Sequence, residues 1–180
     1  MRKVFEFSEK CPMTDAMKNP AVVPDSAISS YPPGKNSPAD SRPGKQGWRT
    51  PVPKDNDKLP TENKPFIEVN LVPNQEQEPI DVESVVVKGS VKAVTVMYTT
   101  REDFLETTPS SVSTTPAQVR GYVTVVSKKR VPPSGKIIFD KIVRADKVRV
   151  VLEEPKKSPN GTIPKEYTIK LGIHACVESA

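Results

Sequence analysis

Two cysteines and one histidine carry most of the reactive chemistry available to this chain: Cys11, Cys176 and His174. A zinc site needs several His and Cys residues at ligand spacing, and no such cluster is present. A Ser-His-Asp or Cys-His device would have to use His174, which lies in a strand-like run two residues before Cys176. With only 8 glycines there is no Gly-rich loop to cradle phosphate. The chain is therefore expected not to be an enzyme. The cysteines leave two readings open. They are buried free thiols, or they form a disulfide, which is within reach if the first and last strands lie side by side at about 5.5 Å between Cα atoms.

Two basic groups, Lys128-Lys129-Arg130 and Lys156-Lys157, fall at expected turns. The plain reading is solvated charge, and the functional one is a patch for heparin-like polyanions such as sulfated glycosaminoglycans. The net charge of +5 favours anionic partners without choosing among them. Nucleic acid is not expected, because aromatics do not interleave with these cations as stacking platforms. Asn160-Gly161-Thr162 is an N-glycosylation sequon in a Pro/Gly/Ser-rich turn, so Asn160 is a candidate acceptor.

The elements that position these residues are legible from composition. Eleven of the 20 prolines precede Phe66, and residues 1–65 are dense in turn formers, so the first third reads as ordered loop. Asp40–Gly47 and Lys54–Lys64 are its segments most open to disorder. From Phe66 onward short β-type runs follow: 66–71, 80–89, 91–100, 118–127, 136–143, 146–154 and 167–176. Lys88-Gly89-Ser90 reads as a tight turn between two of them, and Arg144-Ala145 separates another pair. In the last run Tyr167, Ile169, Leu171, Ile173 and Ala175 share one face. No stretch holds a helical apolar period. An all-β antiparallel sandwich or jelly roll is expected. No window reaches the length of an apolar membrane span, and MRKVFEFSEKC lacks the apolar run of a signal peptide.

Several segments, taken in order, resemble discoidin domains, the coagulation-factor C-type modules of the galactose-binding-like superfamily. Cys11 and the stretch MKNPAVVPDSAISS (17–30) resemble the family's opening cysteine and "I-x-D-x-x-I-T-A-S-S" segment. Gly47-Trp48-Arg49 resembles its Gly-x-Trp, and FIEVNL (66–71) its "W-L-Q-V-D-L" strand. VVVKG (85–89), KVRV (147–150) and the closing YTIKLGIHAC (167–176) resemble three further strands. Phe66, Asn70, Ala175 and a short Lys88–Ser90 turn depart from the family pattern.

The resemblance implies a single domain over 11–178 after an N-terminal extension over 1–10, with Cys11 joined to Cys176. It implies non-catalytic recognition of a glycan or glycoprotein through loops at one end of the barrel. On this chain those loops carry Tyr31, Lys35, Asn36, Trp48 and Arg49; the plainer reading places Tyr31 and Trp48 in packing and leaves Lys35 solvated. Some members of the superfamily hold calcium near the chain ends, which makes Asp25, Asp40 and Glu178 candidate carboxylates. A disulfide and a sequon together imply an extracellular setting, as part of a larger adhesion, matrix or mucus-type protein. The alternatives are a protein–protein assembly module of such a matrix, or a phospholipid-binding module. A membrane surface is the weaker partner, since Pro32 and Pro33 are poor residues for insertion.

Overall fold

The computed structural model describes residues 11–74, 77–100 and 121–177. Among them are ten strands: β1 (Met13–Asp15), β2 (Ile28–Tyr31), β3 (Trp48–Pro51), β4 (Phe66–Asn70), β5 (Ile80–Gly89), β6 (Val91–Thr99), β7 (Val123–Arg130), β8 (Lys136–Ala145), β9 (Lys147–Pro155) and β10 (Glu166–Cys176). They form two antiparallel sheets. One runs β1-β10-β5-β8, with β3 also on β10; the other runs β2-β4-β9-β6-β7. The protein is an all-β antiparallel sandwich. No helix among the described residues is long and apolar enough to cross a membrane.

Alternation drives this arrangement. Along β10, Tyr167, Ile169, Leu171, Ile173 and Ala175 are buried while Lys170 is exposed. They meet Ile67 and Val69 of β4, with Val94 and Val96 of β6 and Val148 and Val150 of β9, in one core cluster. The first third is irregular but fixed by short strands and 3-10 turns. The two stretches most open to disorder are ordered. Asn56 donates to the carbonyls of Leu152 (3.2 Å) and Glu153 (2.8 Å), and Asp40 accepts the Gly47 N–H at 2.9 Å.

Two expected turns have a different role. Lys88-Gly89-Ser90 does not close a hairpin, because β5 and β6 lie in opposite sheets. It is a corner where the chain changes sheet. At Gly89, φ is +131°, and an added Cβ would fall 1.8 Å from the Thr168 carbonyl oxygen, so only glycine fits. β8 and β9 also lie in opposite sheets; Arg144 and Ala145 belong to β8, and the corner falls on Asp146 instead. Its N–H donates to Thr99 and its carbonyl accepts from Leu71. Residues 1–10, 118–120 and 178–180, where the N-terminal extension, a strand start and Glu178 were placed, lie outside the described residues.

Cys11 and Cys176 are disulfide-bonded, with 5.6 Å between Cα atoms. Met13 pairs with Cys176 in the β1–β10 ladder, so the bond closes the end at which β10 finishes.

Candidate functional site

The opposite end, where β10 begins, gathers the candidate residues. Cys176 and Glu166 are the last and first residues of β10, ten rises of about 3.3 Å apart. There Lys35 Nζ meets Glu166 at 2.6 Å and Arg49 Nη1 meets it at 3.9 Å. The hydrogen bond from Lys35 holds the Glu166 carboxyl below its ordinary range, and Arg49 adds to this.

Asn36 acts as a latch: its Nδ2 donates to Gly47 O, and its Oδ1 accepts the Arg49 N–H, both at 2.8 Å. Trp48 is fully buried, and its indole nitrogen has no hydrogen-bond partner among the described residues. Gly34, at φ +85°, lies against that nitrogen, where a Cβ would approach to 2.4 Å. Lys35, Asn36, Trp48 and Arg49 therefore form one loop cluster around Glu166.

Tyr31 is 54% exposed and stacks on Phe66 with ring centroids 5.9 Å apart. The Arg149 guanidinium lies 3.9 Å from the Phe66 centroid and 4.3 Å from that of Tyr122, an arrangement favourable to the cation. Glu68 fixes it by accepting from Arg149 Nε at 2.9 Å and from the Tyr122 hydroxyl at 2.5 Å. Burial, with Glu68 beside it, raises the Tyr122 pKa.

The two basic groups come together. Lys128, Lys129, Arg130, Lys156 and Lys157 all line one groove of ≈ 1370 Å³. Lys88, Lys92 and Lys136 join them; among the described residues no carboxylate lines the groove, though Lys92 Nζ lies 3.8 Å from Glu154 Oε1 at its edge. The register explains the convergence, since Ala93 of β6 sits opposite Arg130 on one side and Glu154 on the other. Lys128 is held at φ +48°, a left-handed backbone uncommon for lysine. Its N–H donates to Thr95 Oγ1 at 2.9 Å, and that hydroxyl donates to buried Glu153 at 2.5 Å. Glu153 in turn pairs with Lys64 at 2.6 Å, each side chain 1% exposed. Lys136 carried no signal beyond its place after the Pro132-Pro133-Ser134-Gly135 turn.

The three candidate calcium carboxylates are not seen together. Asp25 Oδ1 takes the Arg42 guanidinium, Nε at 3.0 Å and Nη2 at 2.9 Å, and Glu178 is not among the described residues. No group of three or more His, Cys, Asp or Glu among the described residues could hold a metal ion. His174 Nδ1 lies 3.4 Å from Ser84 Oγ. Asn160 Oδ1 accepts from the Thr162 hydroxyl (2.8 Å) and N–H (3.1 Å), closing an exposed turn.

No family model matches the chain, and no curated protein does. Among solved structures, a chitosan-binding module 1 from a chitosanase/glucanase of Paenibacillus sp. IK-5 aligns at 16% identity and TM-score 0.47, over 85% of this chain and 96% of that one. A family 32 carbohydrate-binding module from C. perfringens NanJ, in complex with galactose, aligns at 11% identity and TM-score 0.45, over 84% and 96%. SpGH29 aligns at 15% identity and TM-score 0.45, over 82% of this chain and 26% of its own.

Proposed function

We propose that this domain is a non-catalytic carbohydrate-recognition module of discoidin type whose ligand is an anionic glycan. The observation that carries the reading is the groove in which eight basic side chains converge with no lining carboxylate among the described residues. Sulfated or uronate-bearing chains present repeated anions that match such a surface, and exposed cations fixed at one groove on a rigid scaffold raise the local concentration of such a partner. The Cys11–Cys176 bond and the exposed Asn160 turn support a secreted setting in which such glycans occur.

A second reading places a neutral sugar on the exposed ring of Tyr31. Stacking on an aromatic face would supply the contact, with Lys35 and Arg49 turned toward Glu166 nearby.

Titration of the oxidised domain with heparin and with neutral oligosaccharides separates the two. Binding to heparin that weakens as salt rises, and falls about tenfold (~1.4 kcal/mol) in Lys128→Ala/Lys129→Ala, supports the groove. A neutral-sugar response abolished by Tyr31→Ala, with no heparin binding, supports the second reading instead. Silence on every glycan defeats both and turns the search to protein partners, with liposome co-sedimentation as the check on phospholipid.

A further inference from the structure

The basic groove does not end at its own rim. Lys88 also borders a second depression of ≈ 350 Å³ on the outer face of β5 and β10, lined among others by Lys18, Lys170, His174 and Asp15. The ladders place these residues side by side. Lys170 lies opposite Lys88, Gly172 opposite Val86, and His174 opposite Ser84; on the other edge of β5, Lys136 lies opposite Val86. Gly172 and Val86 thus form a low floor between lysines of the groove and lysines of the depression.

Like charges directly across a ladder destabilise it, yet Lys88 and Lys170 face each other with no carboxylate partner among the described residues. Some basic groups are compensated, Arg42 by Asp25, Lys64 by Glu153, Arg149 by Glu68 and, at the groove's edge, Lys92 by Glu154 at 3.8 Å. The acid in the depression, Asp15, is engaged with backbone. Its Oδ1 accepts the N–H of Met17 at 2.9 Å and of Ile173 at 3.0 Å, which pins β1 to β10. It occupies the space above Gly172, where a Cβ would fall 2.8 Å from Oδ2. Its charge marks where an anion would stop.

The geometry points to one continuous track for a linear polyanionic polysaccharide, entering at Lys156 and Lys157, crossing Lys88, and ending at Lys18 and Lys170. This deepens the anionic-glycan reading above and rests on it. From Lys88 across the ladder to Lys170 the track gains at least one further strand spacing, about 4.8 Å, beyond a short oligosaccharide seated in the groove. Affinity therefore rises with chain length, and the gain belongs to residues outside the groove.

The test is calorimetric titration of the oxidised domain with size-fractionated heparin oligosaccharides, tetrasaccharide to dodecasaccharide, at one salt concentration. In the wild type the dodecasaccharide binds about tenfold or more tighter than the tetrasaccharide, and in Lys18→Ala/Lys170→Ala that ratio falls to about twofold. Lys54→Ala/Lys58→Ala, which removes the same charge from exposed sites outside both hollows, keeps the wild-type ratio. All the altered side chains are exposed, and melting curves confirm folding. A wild type that binds short chains without gaining from length overturns the track but leaves the groove. Equal loss of the ratio in both double variants reduces the effect to net charge and overturns it too. A wild type that binds no oligosaccharide overturns the anionic-glycan reading itself.

Discussion

Glu153 and Lys64 lie out of water, and what holds the Glu153 carboxylate charged is the set of donors around it. Lys64 Nζ donates to Glu153 Oε1, and the hydroxyls of Thr61 and Thr95 donate to Oε2 at 2.8 and 2.5 Å. Burial alone would raise the Glu153 pKa, but these hydrogen bonds outweigh it and hold the carboxyl below its ordinary range. Lys64→Met leaves a buried carboxylate without its cation and should cost about 3–5 kcal/mol in urea unfolding. The pH dependence follows from the depressed pKa. The stabilisation is fully present above the unfolded-state value and is lost as pH falls through the folded one. Melting temperature should therefore drop below about pH 4.3, and Glu153→Gln should start lower and flatten that decline. None of this was legible in KLPTENKPF, where Lys64 reads as one more loop lysine. Its burial depends on a partner 89 positions away. Tyr31 and Trp48 fared differently: an indole in a loop has few places to go but the core, and Trp48 is there.

At the scale of elements, period-two alternation made most strands readable, and β10 follows it from Tyr167 to Ala175. The corners were not readable. Lys-Gly-Ser serves a hairpin or a change of sheet equally well, and the choice is made by where β5 and β6 find partners, which is non-local. Gly89→Ala should test the corner: the added methyl group meets a carbonyl that cannot move without breaking the β10 ladder. A loss of more than about 2 kcal/mol in urea unfolding is expected, and a value near zero would show that the corner can relax. The groove obeys the same logic. Its two basic groups could be found as charge runs, but only the pairing of β6 with both β7 and β9 puts them on one wall.

For the whole molecule, one covalent bond joins the first described residue to the end of the last strand. In the chain-entropy picture a loop of this length, 165 positions, contributes up to roughly 5 kcal/mol. Cys176→Ser, or reduction, should lower the urea midpoint accordingly, and two reactive thiols in the folded, oxidised protein would contradict the bridge. β10 runs from that bond to the Lys35–Arg49–Glu166 cluster at its other end, ten strand rises away. The bond has a further, mechanical consequence. Tension applied to chain outside Cys11 and Cys176 passes through sulfur and bypasses the sheets altogether. In an optical trap the oxidised domain should stretch as a short, stiff link, and only after reductant is added should it yield about 3.6 Å of contour for each released residue.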